Sequence, residues 1–181
     1  MKHDLFDVVD EHDRVLRQVP RHIVHAEKLL HRAVHIFVFD ETGRMYMQLR
    51  SATKDEYPNC WTSSCSGHVD AGEDYDTAAV RELQEELGLR GESLARLQKF
   101  PASAETSYEH TVLYHLQTAS PIVPDPDEIA DGAFKPLDEI ARDIAEQPEC
   151  YCPAFKVLFG WYRRGFGRAR FTANVPFTPS A

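Results

Sequence analysis

The stretch GHVDAGEDYDTAAVRELQEELGL, residues 67–89, combines helical spacing with a concentration of acidic side chains. Ala79, Leu83 and Leu87 stand four residues apart, so they share one face of a helix with 3.6 residues per turn. This apolar stripe predicts an amphipathic helix over residues 74–87. Its other edges are rich in carboxylates, and their number needs a physical explanation.

Both ends of this predicted helix carry boundary signals. Asp74 or Asp76 can cap the N-terminus, because a side-chain oxygen there accepts a hydrogen bond from an otherwise unpaired backbone N–H. Gly88 is placed to end the helix, since glycine adopts the left-handed conformation that commonly follows the last turn. The segment therefore predicts a loop, a helix and a second loop.

Three glutamates, Glu82, Glu85 and Glu86, share one edge of the predicted helix and are called the acidic ridge below. Like charges at these offsets repel, and only Arg81 lies nearby in sequence to offset them. Clustered hard oxygen ligands are what Mg²⁺ or Mn²⁺ requires, and such ions commonly bridge to phosphates. An alternative stays open from the helix alone, because a charge run on a helix is most often a solvated face.

The residues around the ridge resemble the Nudix box at every defining position. Those positions are Gly67, Glu73, Arg81, Glu82, Glu85, Glu86 and Gly88, with Leu83 and Leu89 at the apolar sites. The resemblance implies an α/β fold, a Nudix-type α/β/α sandwich with a mixed central sheet flanked by helices. It also implies a Mg²⁺-dependent enzyme, in which Mn²⁺ can substitute, that cleaves a diphosphate linked to another moiety, with nucleoside diphosphates as the leading candidates.

The same resemblance assigns roles to individual residues. Glu82, Glu85 and Glu86 would bind the metal, and the Gly67 carbonyl would complete the ligand set. Glu73 and Arg81 would orient these carboxylates. A glutamate not fully committed to metal can take a proton from the attacking water. Family members differ in which one does so; Glu109 and Glu105 are further candidates downstream of the box.

Two upstream segments, LHRAVHIFVFD (30–40) and QLRSATKDEYPNCWTSSCSGHV (48–69), look like the isopentenyl diphosphate isomerase branch of the same superfamily. This likeness covers roughly residues 5–160. It implies that Arg50 and Lys54 contact the substrate diphosphate, which two cations beside a strand end can also do on electrostatic grounds.

Three histidines and one cysteine position show how far the likeness to the isomerase extends. His31 and His68 match metal-binding histidines of that branch, and His25 sits one residue out of register with a third; isolated histidines are otherwise more often structural, so their role stays open. The isomerase places its catalytic cysteine where this chain has Ser66, and Cys65 should point to the opposite face of the strand. A serine hydroxyl is far less acidic than a thiol.

The second acidic motif of the isomerase is also incomplete here. Its Glu-x-Glu pair reads Ser107-Tyr108-Glu109, whereas the Nudix box, from which that branch has typically lost carboxylates, is whole. We therefore expect diphosphate hydrolysis on an isomerase-like scaffold. An isopentenyl-diphosphate isomerase and a non-catalytic nucleotide-sensing module remain as alternatives. Five aromatic residues could stack on a nucleobase, although such residues are more often core: Phe37, Trp61, Tyr108, Phe155 and Trp161.

Length and composition limit the remaining choices. The 181 residues predict a single domain, with residues 1–30 forming an N-terminal hairpin and helix extension. A net charge of −9 disfavours nucleic acid as a partner. No run of eighteen apolar residues occurs, and acidic residues stand where a secretory signal would be apolar, so we expect a cytoplasmic protein without a membrane partner. The resemblance is compatible with a homodimer. The four cysteines are interpreted as free thiols.

The strand and helix pattern agrees with a mixed sheet. His31–Asp40 is the strongest strand, because Val34, Ile36 and Val38 alternate with His35, Phe37 and Phe39 and indicate burial on both faces. The other predicted strands are 5–9, 14–19, 44–50, 61–67, 94–100 and 110–118, and the other predicted helices are 22–30, 136–146 and 152–164.

Overall fold

A computed structural model describes residues 5–165 of the chain. The strands are β1 (Leu5–Val9), β2 (Val15–Pro20), β3 (His31–Phe39), β4 (Met45–Arg50), β5 (Trp61–Thr62), β6 (Cys65–His68), β7 (Ala95–Phe100), β8 (Glu109–Gln117) and β9 (Ile129–Lys135). The helices are α1 (Arg21–Glu27), α2 (Tyr75–Leu87), α3 (Leu137–Glu146) and α4 (Pro153–Gly165), with short 3-10 turns at Ala104–Thr106 and Pro148–Cys150. Residues 1–4 of the predicted extension, and 166–181 of the predicted domain, lie outside this range.

Seven strands form the mixed central sheet. Strands β5, β4, β3, β8 and β7 lie in that order, β6 pairs with β3, and β9 pairs with β4. The β3 and β8 strands are parallel, and the other pairs are antiparallel. The predicted mixed sheet is confirmed, with β3 at its centre.

Hydrophobic cores cover both faces of β3. Val34, Ile36 and Val38 belong to the core that contains the apolar stripe of α2. Phe37 and Phe39 belong to the other core, which α3 and α4 complete. The protein is therefore the predicted α/β/α sandwich, and burial on both sides explains the nearly continuous apolar sequence of β3.

Two predicted elements had wrong bounds and one strand was missed. The segment 61–67 is two strands rather than one, because β5 pairs with β4 while β6 pairs with β3. The predicted helix 22–30 ends at Glu27, where Lys28 takes the left-handed conformation. Strand β9 was missed, since IADGAFK lacks a clear alternating pattern. Its pairing with β4 is a tertiary effect, and Gly132 in it leaves room for the Tyr46 ring.

The N-terminal hairpin of β1 and β2 is held on the sheet by a partly buried ion-pair network. Asp13, in the turn of the hairpin, accepts a hydrogen bond from Arg32 Nε at 2.6 Å and one from the Tyr75 hydroxyl at 2.9 Å. Lys99 of β7 pairs with the same carboxylate. These contacts fix the position of α1, which follows the hairpin. No helix within residues 5–165 is long and apolar enough to cross a membrane.

Candidate active site

Helix α2 begins and ends as its sequence predicts. Asp74 accepts a hydrogen bond from the Thr77 backbone N–H at 2.8 Å, and Gly88 closes the helix in the left-handed region. The stripe of Ala79, Leu83 and Leu87 is fully buried. Burial of this stripe fixes the rotation of the helix, so the acidic ridge faces a cavity of about 450 Å³.

The three ridge carboxylates sit at different depths in this cavity. The side chain of Glu86 is buried, that of Glu82 is 13% exposed and that of Glu85 is 44% exposed. Burial raises the pKa of Glu86, although Gln48 Nε2 and the Ser66 backbone N–H donate hydrogen bonds to it at 2.9 and 3.2 Å. Burial, followed by the charge of Glu86, raises the pKa of Glu82 to about 7.

These features fit a divalent cation at the ridge. Two adjacent carboxyls with raised pKa values are destabilised as anions, and a bound dication would relieve that cost while releasing protons. Gly67 also shapes the ridge, because a Cβ added there would overlap the Glu82 carboxylate. The glycine therefore leaves space for the Glu82 side chain beside the β6 backbone.

Arg81 joins the box residues into one network. Its guanidinium donates to both oxygens of Glu73, at 3.0 and 2.9 Å, in a bidentate pair. Nη1 also donates to Glu82 at 2.6 Å and to Glu85 at 3.3 Å, and Nη2 donates to the His68 carbonyl at 2.9 Å. Arg81 is thus in contact with Glu73, Glu82 and Glu85, and the orienting role that the resemblance assigns to Glu73 and Arg81 stays a prediction.

Arg50 and Lys54, the predicted diphosphate-binding residues, line the same cavity. Lys54 is ion-paired with Glu128, and burial lowers its pKa. Arg50 Nε donates to the Glu56 carbonyl at 3.0 Å. A third cation, Arg21, also lines the cavity and was not predicted, because nothing in the sequence shows where α1 lies relative to the sheet.

A second group of potential ligands lies beside the cavity, and one member of it, His68, lines the cavity. His25 of α1, His31 of β3 and His68 of β6, called the histidine cluster below, place one ring nitrogen each within 4.8 Å of one another. The Nε2 atoms of all three are buried and have no hydrogen-bond partner, and they are the only such side-chain atoms in the described part of the chain. His25 takes part even though its sequence position is one residue out of register with the isomerase.

Glu109 lies against this cluster. Its Oε1 is 3.0 Å from His68 Nε2 and 3.6 Å from His31 Nε2, close enough for ion pairs but outside hydrogen-bond geometry. Burial opposes ionisation of Glu109, but its contacts with His31 and His68 outweigh burial and lower its pKa. Three imidazoles with unpartnered nitrogens beside a carboxylate fit a transition-metal ion better than Mg²⁺.

Of the remaining candidate residues, Ser66 and Glu109 line the cavity, whereas Cys65 and Glu105 do not. Ser66 lines the cavity, whereas Cys65 is buried in the core beneath α2, so the two do point to opposite faces. Burial raises the pKa of the Cys65 thiol well above its usual value. Glu109 lines the cavity, but Glu105 is exposed on a 3-10 turn and is not among the cavity residues.

His35 is a cavity residue that the sequence did not single out. Its Nδ1 lies 2.7 Å from the Ser63 hydroxyl, and burial lowers its pKa to about 4, so the ring stays neutral at pH 7. The aromatic residues suggested for base stacking lie elsewhere: Phe37, Trp61, Tyr108, Phe155 and Trp161 do not line this cavity. Tyr57 and Phe6 are the aromatic side chains that do.

A mixed-sheet sandwich that presents a carboxylate-bearing helix to a cavity with basic residues is the arrangement of Nudix proteins. The chain belongs to the Nudix family, since the family model described as NUDIX domain matches residues 29–154.

Relatives of two kinds resemble this chain. An uncharacterized Nudix hydrolase from Streptomyces coelicolor is 34% identical over 79% of this chain and 80% of its own length. An isopentenyl-diphosphate Delta-isomerase from Photorhabdus laumondii is 32% identical over 86% of this chain and 90% of its own length. The crystal structure of DR0079 from Deinococcus radiodurans has a TM-score of 0.65 at 28% identity and covers 81% of this chain and 99% of that chain. Family membership thus leaves the reaction to be argued from the site.

Proposed function

We propose that the protein is a Mg²⁺-dependent diphosphohydrolase that cleaves a diphosphate linked to another moiety, with nucleoside diphosphate derivatives as the leading substrate class. Mn²⁺ would substitute. One observation carries the proposal: the whole acidic ridge and the cations Arg50 and Lys54 line one cavity. An anionic diphosphate and the dications that it carries need both kinds of residue.

Glu82, Glu85 and Glu86, with the Gly67 carbonyl, would hold the metal. When bound there, Mg²⁺ offsets negative charge on the diphosphate oxygens and makes a bound water easier to deprotonate. Arg81 keeps Glu82 and Glu85 oriented through its fork of hydrogen bonds. Glu73 fixes the other side of that guanidinium.

The remaining residues bind the substrate and move the proton. Arg50 and Lys54 bind the diphosphate, for which Lys54 exchanges its ion pair with Glu128 for a phosphate oxygen. Glu85, the most exposed ridge carboxylate, is the first choice for taking the proton of the attacking water. Glu109 is the second choice, because it is engaged with His31 and His68.

A hydrolysis screen tests the proposal. The purified full chain is incubated with Mg²⁺ or Mn²⁺ and a panel of nucleoside diphosphates, nucleotide sugars, dinucleoside polyphosphates and small alkyl diphosphates. We expect metal-dependent release of phosphate or monophosphate, with ¹⁸O from labelled water appearing on a phosphorus of the product. No release from any compound with either metal would overturn the proposal.

Isomerisation of a homoallylic diphosphate to its allylic isomer is the second candidate, favoured by the histidine cluster and by relatives named isopentenyl-diphosphate Delta-isomerase. Ser66 in the place of the isomerase cysteine argues against it, and Cys65 is buried in the core and does not line the cavity. Incubation of the protein with isopentenyl diphosphate distinguishes the two reactions. Formation of dimethylallyl diphosphate would support isomerisation, whereas release of phosphate would support hydrolysis.

A further inference from the structure

The proton positions in the histidine cluster follow from what each ring contacts on its outer side. His31 Nδ1 lies 2.9 Å from the Leu29 carbonyl. Because a carbonyl oxygen only accepts, Nδ1 carries a proton, and in the neutral ring Nε2 keeps a free lone pair. That is the tautomer required of a neutral imidazole that binds a metal through Nε2.

For His25 the outer acceptor is a side chain rather than the backbone. Its Nδ1 lies 3.4 Å from Glu56 Oε1. An ionised carboxylate attracts the nitrogen that carries the proton, so its position favours the Nδ1–H tautomer, which in the neutral ring leaves the lone pair on His25 Nε2. This nitrogen is one of the three buried Nε2 atoms without a partner.

The backbone of Glu56 is held by contacts that do not involve α1. It lies in the loop 51–60 between β4 and β5, and its carbonyl accepts the hydrogen bond from Arg50 Nε at 3.0 Å. The base of this loop is closed by backbone bonds from Arg50 N to the Cys60 carbonyl and from Asn59 N to the Arg50 carbonyl, at 3.0 and 3.1 Å. The Glu56 carboxylate is therefore presented to His25 from the sheet side.

We propose that Glu56 is a positioning residue, which holds His25 in the orientation and tautomer needed to bind a transition-metal ion in the histidine cluster. Glu56 is not itself placed among the ligands. Carboxylates that accept from the outer nitrogen of a metal-bound histidine fix the ring and increase its basicity, and their loss typically weakens metal binding roughly 10–100-fold.

Cobalt binding tests this role without any substrate. The full chain is titrated with Co²⁺ in the presence of excess Mg²⁺, which occupies oxygen-rich sites, and the visible absorption of nitrogen-bound Co²⁺ is followed. Glu56→Ala is compared with Glu56→Gln, whose amide oxygen can still accept from Nδ1, and with His25→Gln as a reference for ligand loss. Asp55→Asn is the matched control, because the adjacent Asp55 pairs with Arg21 of the same helix at 3.6 Å.

We expect Glu56→Ala to bind Co²⁺ about 10–100-fold more weakly with a changed spectrum. Glu56→Gln should show a smaller loss, Asp55→Asn should stay within about twofold of the wild type, and the metal-free melting temperature of Glu56→Ala should be unchanged. The role would be refuted by Co²⁺ affinity in Glu56→Ala within twofold of the wild type, or by a loss explained by a lower metal-free melting temperature. Absence of Co²⁺ binding to the wild type would refute it as well. Each result is independent of whether a diphosphate is hydrolysed.

Discussion

The acidic ridge lines the cavity and the histidine cluster adjoins it through His68, but the two are built in opposite ways. The ridge lies on one helix, where spacing along the chain alone brings its members together. The histidine cluster combines a helix of the N-terminal extension, the start of β3 and the end of β6. Because oxygen ligands favour Mg²⁺ or Mn²⁺ and imidazoles favour transition metals, the difference teaches that the two proposed sites would select different ions.

The largest expected effect is on catalysis and comes from a substitution in the acidic ridge alone. Glu85→Gln removes the most exposed ridge carboxylate and should lower kcat for the best substrate by roughly 10²–10⁴, the range for loss of a general base or of charge stabilisation. Steady-state kinetics with saturating Mg²⁺ measures it, and an unchanged melting temperature shows that the fold is kept. Glu146→Gln, at an exposed helical glutamate, is the control. A loss of less than tenfold would remove Glu85 from the mechanism.

The next largest expected effect is on Co²⁺ binding and comes from a substitution in the histidine cluster alone. His31→Gln should weaken Co²⁺ binding more than about 100-fold, since loss of a ligand exceeds the loss of an outer contact. Binding of Mn²⁺ at the ridge, followed by electron paramagnetic resonance, should be preserved. His22→Gln, on the exposed side of α1, serves as the control. If Mn²⁺ and Co²⁺ binding fall together, the cavity holds one shared site rather than two.

A smaller effect is expected at the point where the two sites meet. Gly67 precedes His68, and Gly67→Ala would push the Glu82 carboxylate out of its place. We expect Mn²⁺ affinity to fall about 10–100-fold, by analogy with lost supporting contacts, with little change in the metal-free melting temperature. Gly160→Ala in α4, where space is available, should be neutral or stabilising by about 0.5–1 kcal/mol. Unchanged Mn²⁺ affinity in Gly67→Ala would show that Glu82 is not a ligand.

The last effect is on stability rather than on metal binding, and it concerns the docking of the hairpin that precedes His25. Burial raises the pKa of Asp13, but the bonds from Lys99, Arg32 and Tyr75 outweigh it and leave that pKa lowered. Because the folded pKa lies below the unfolded value of about 4, this stabilisation is complete above roughly pH 4 and is lost as the pH falls through the folded pKa. Asn tolerates the positive φ of residue 13.

Asp13→Asn should therefore destabilise the protein at pH 7 by about 1.5–3 kcal/mol, the range for hydrogen bonds to charged groups. Denaturant unfolding between pH 7 and pH 3 measures the difference, which should shrink below roughly pH 4. Asp138→Asn, at an exposed ion pair, should change stability by less than about 1 kcal/mol. A difference between Asp13→Asn and wild type that stays constant with pH would show that the network contributes no pH-dependent stability.

Much of the fold was predictable where local pattern and burial agree. The alternation in β3 requires two covered faces, and the stripe of α2 with its caps sets both the bounds and the rotation of that helix. Strand β9 and the division of 61–67 were not predictable, because both follow from which neighbour each backbone segment pairs with.

The sequence by itself determined the acidic ridge, since residues three and four apart on a helix must be neighbours whatever surrounds them. Only the tertiary structure decided that His25 joins His31 and His68, that Glu56 faces His25 and that Arg21 enters the cavity. These contacts depend on how the N-terminal hairpin and α1 dock on the sheet. Docking is set by the Asp13 network and by side-chain packing across distant segments, and such contacts leave no periodic signal along the chain.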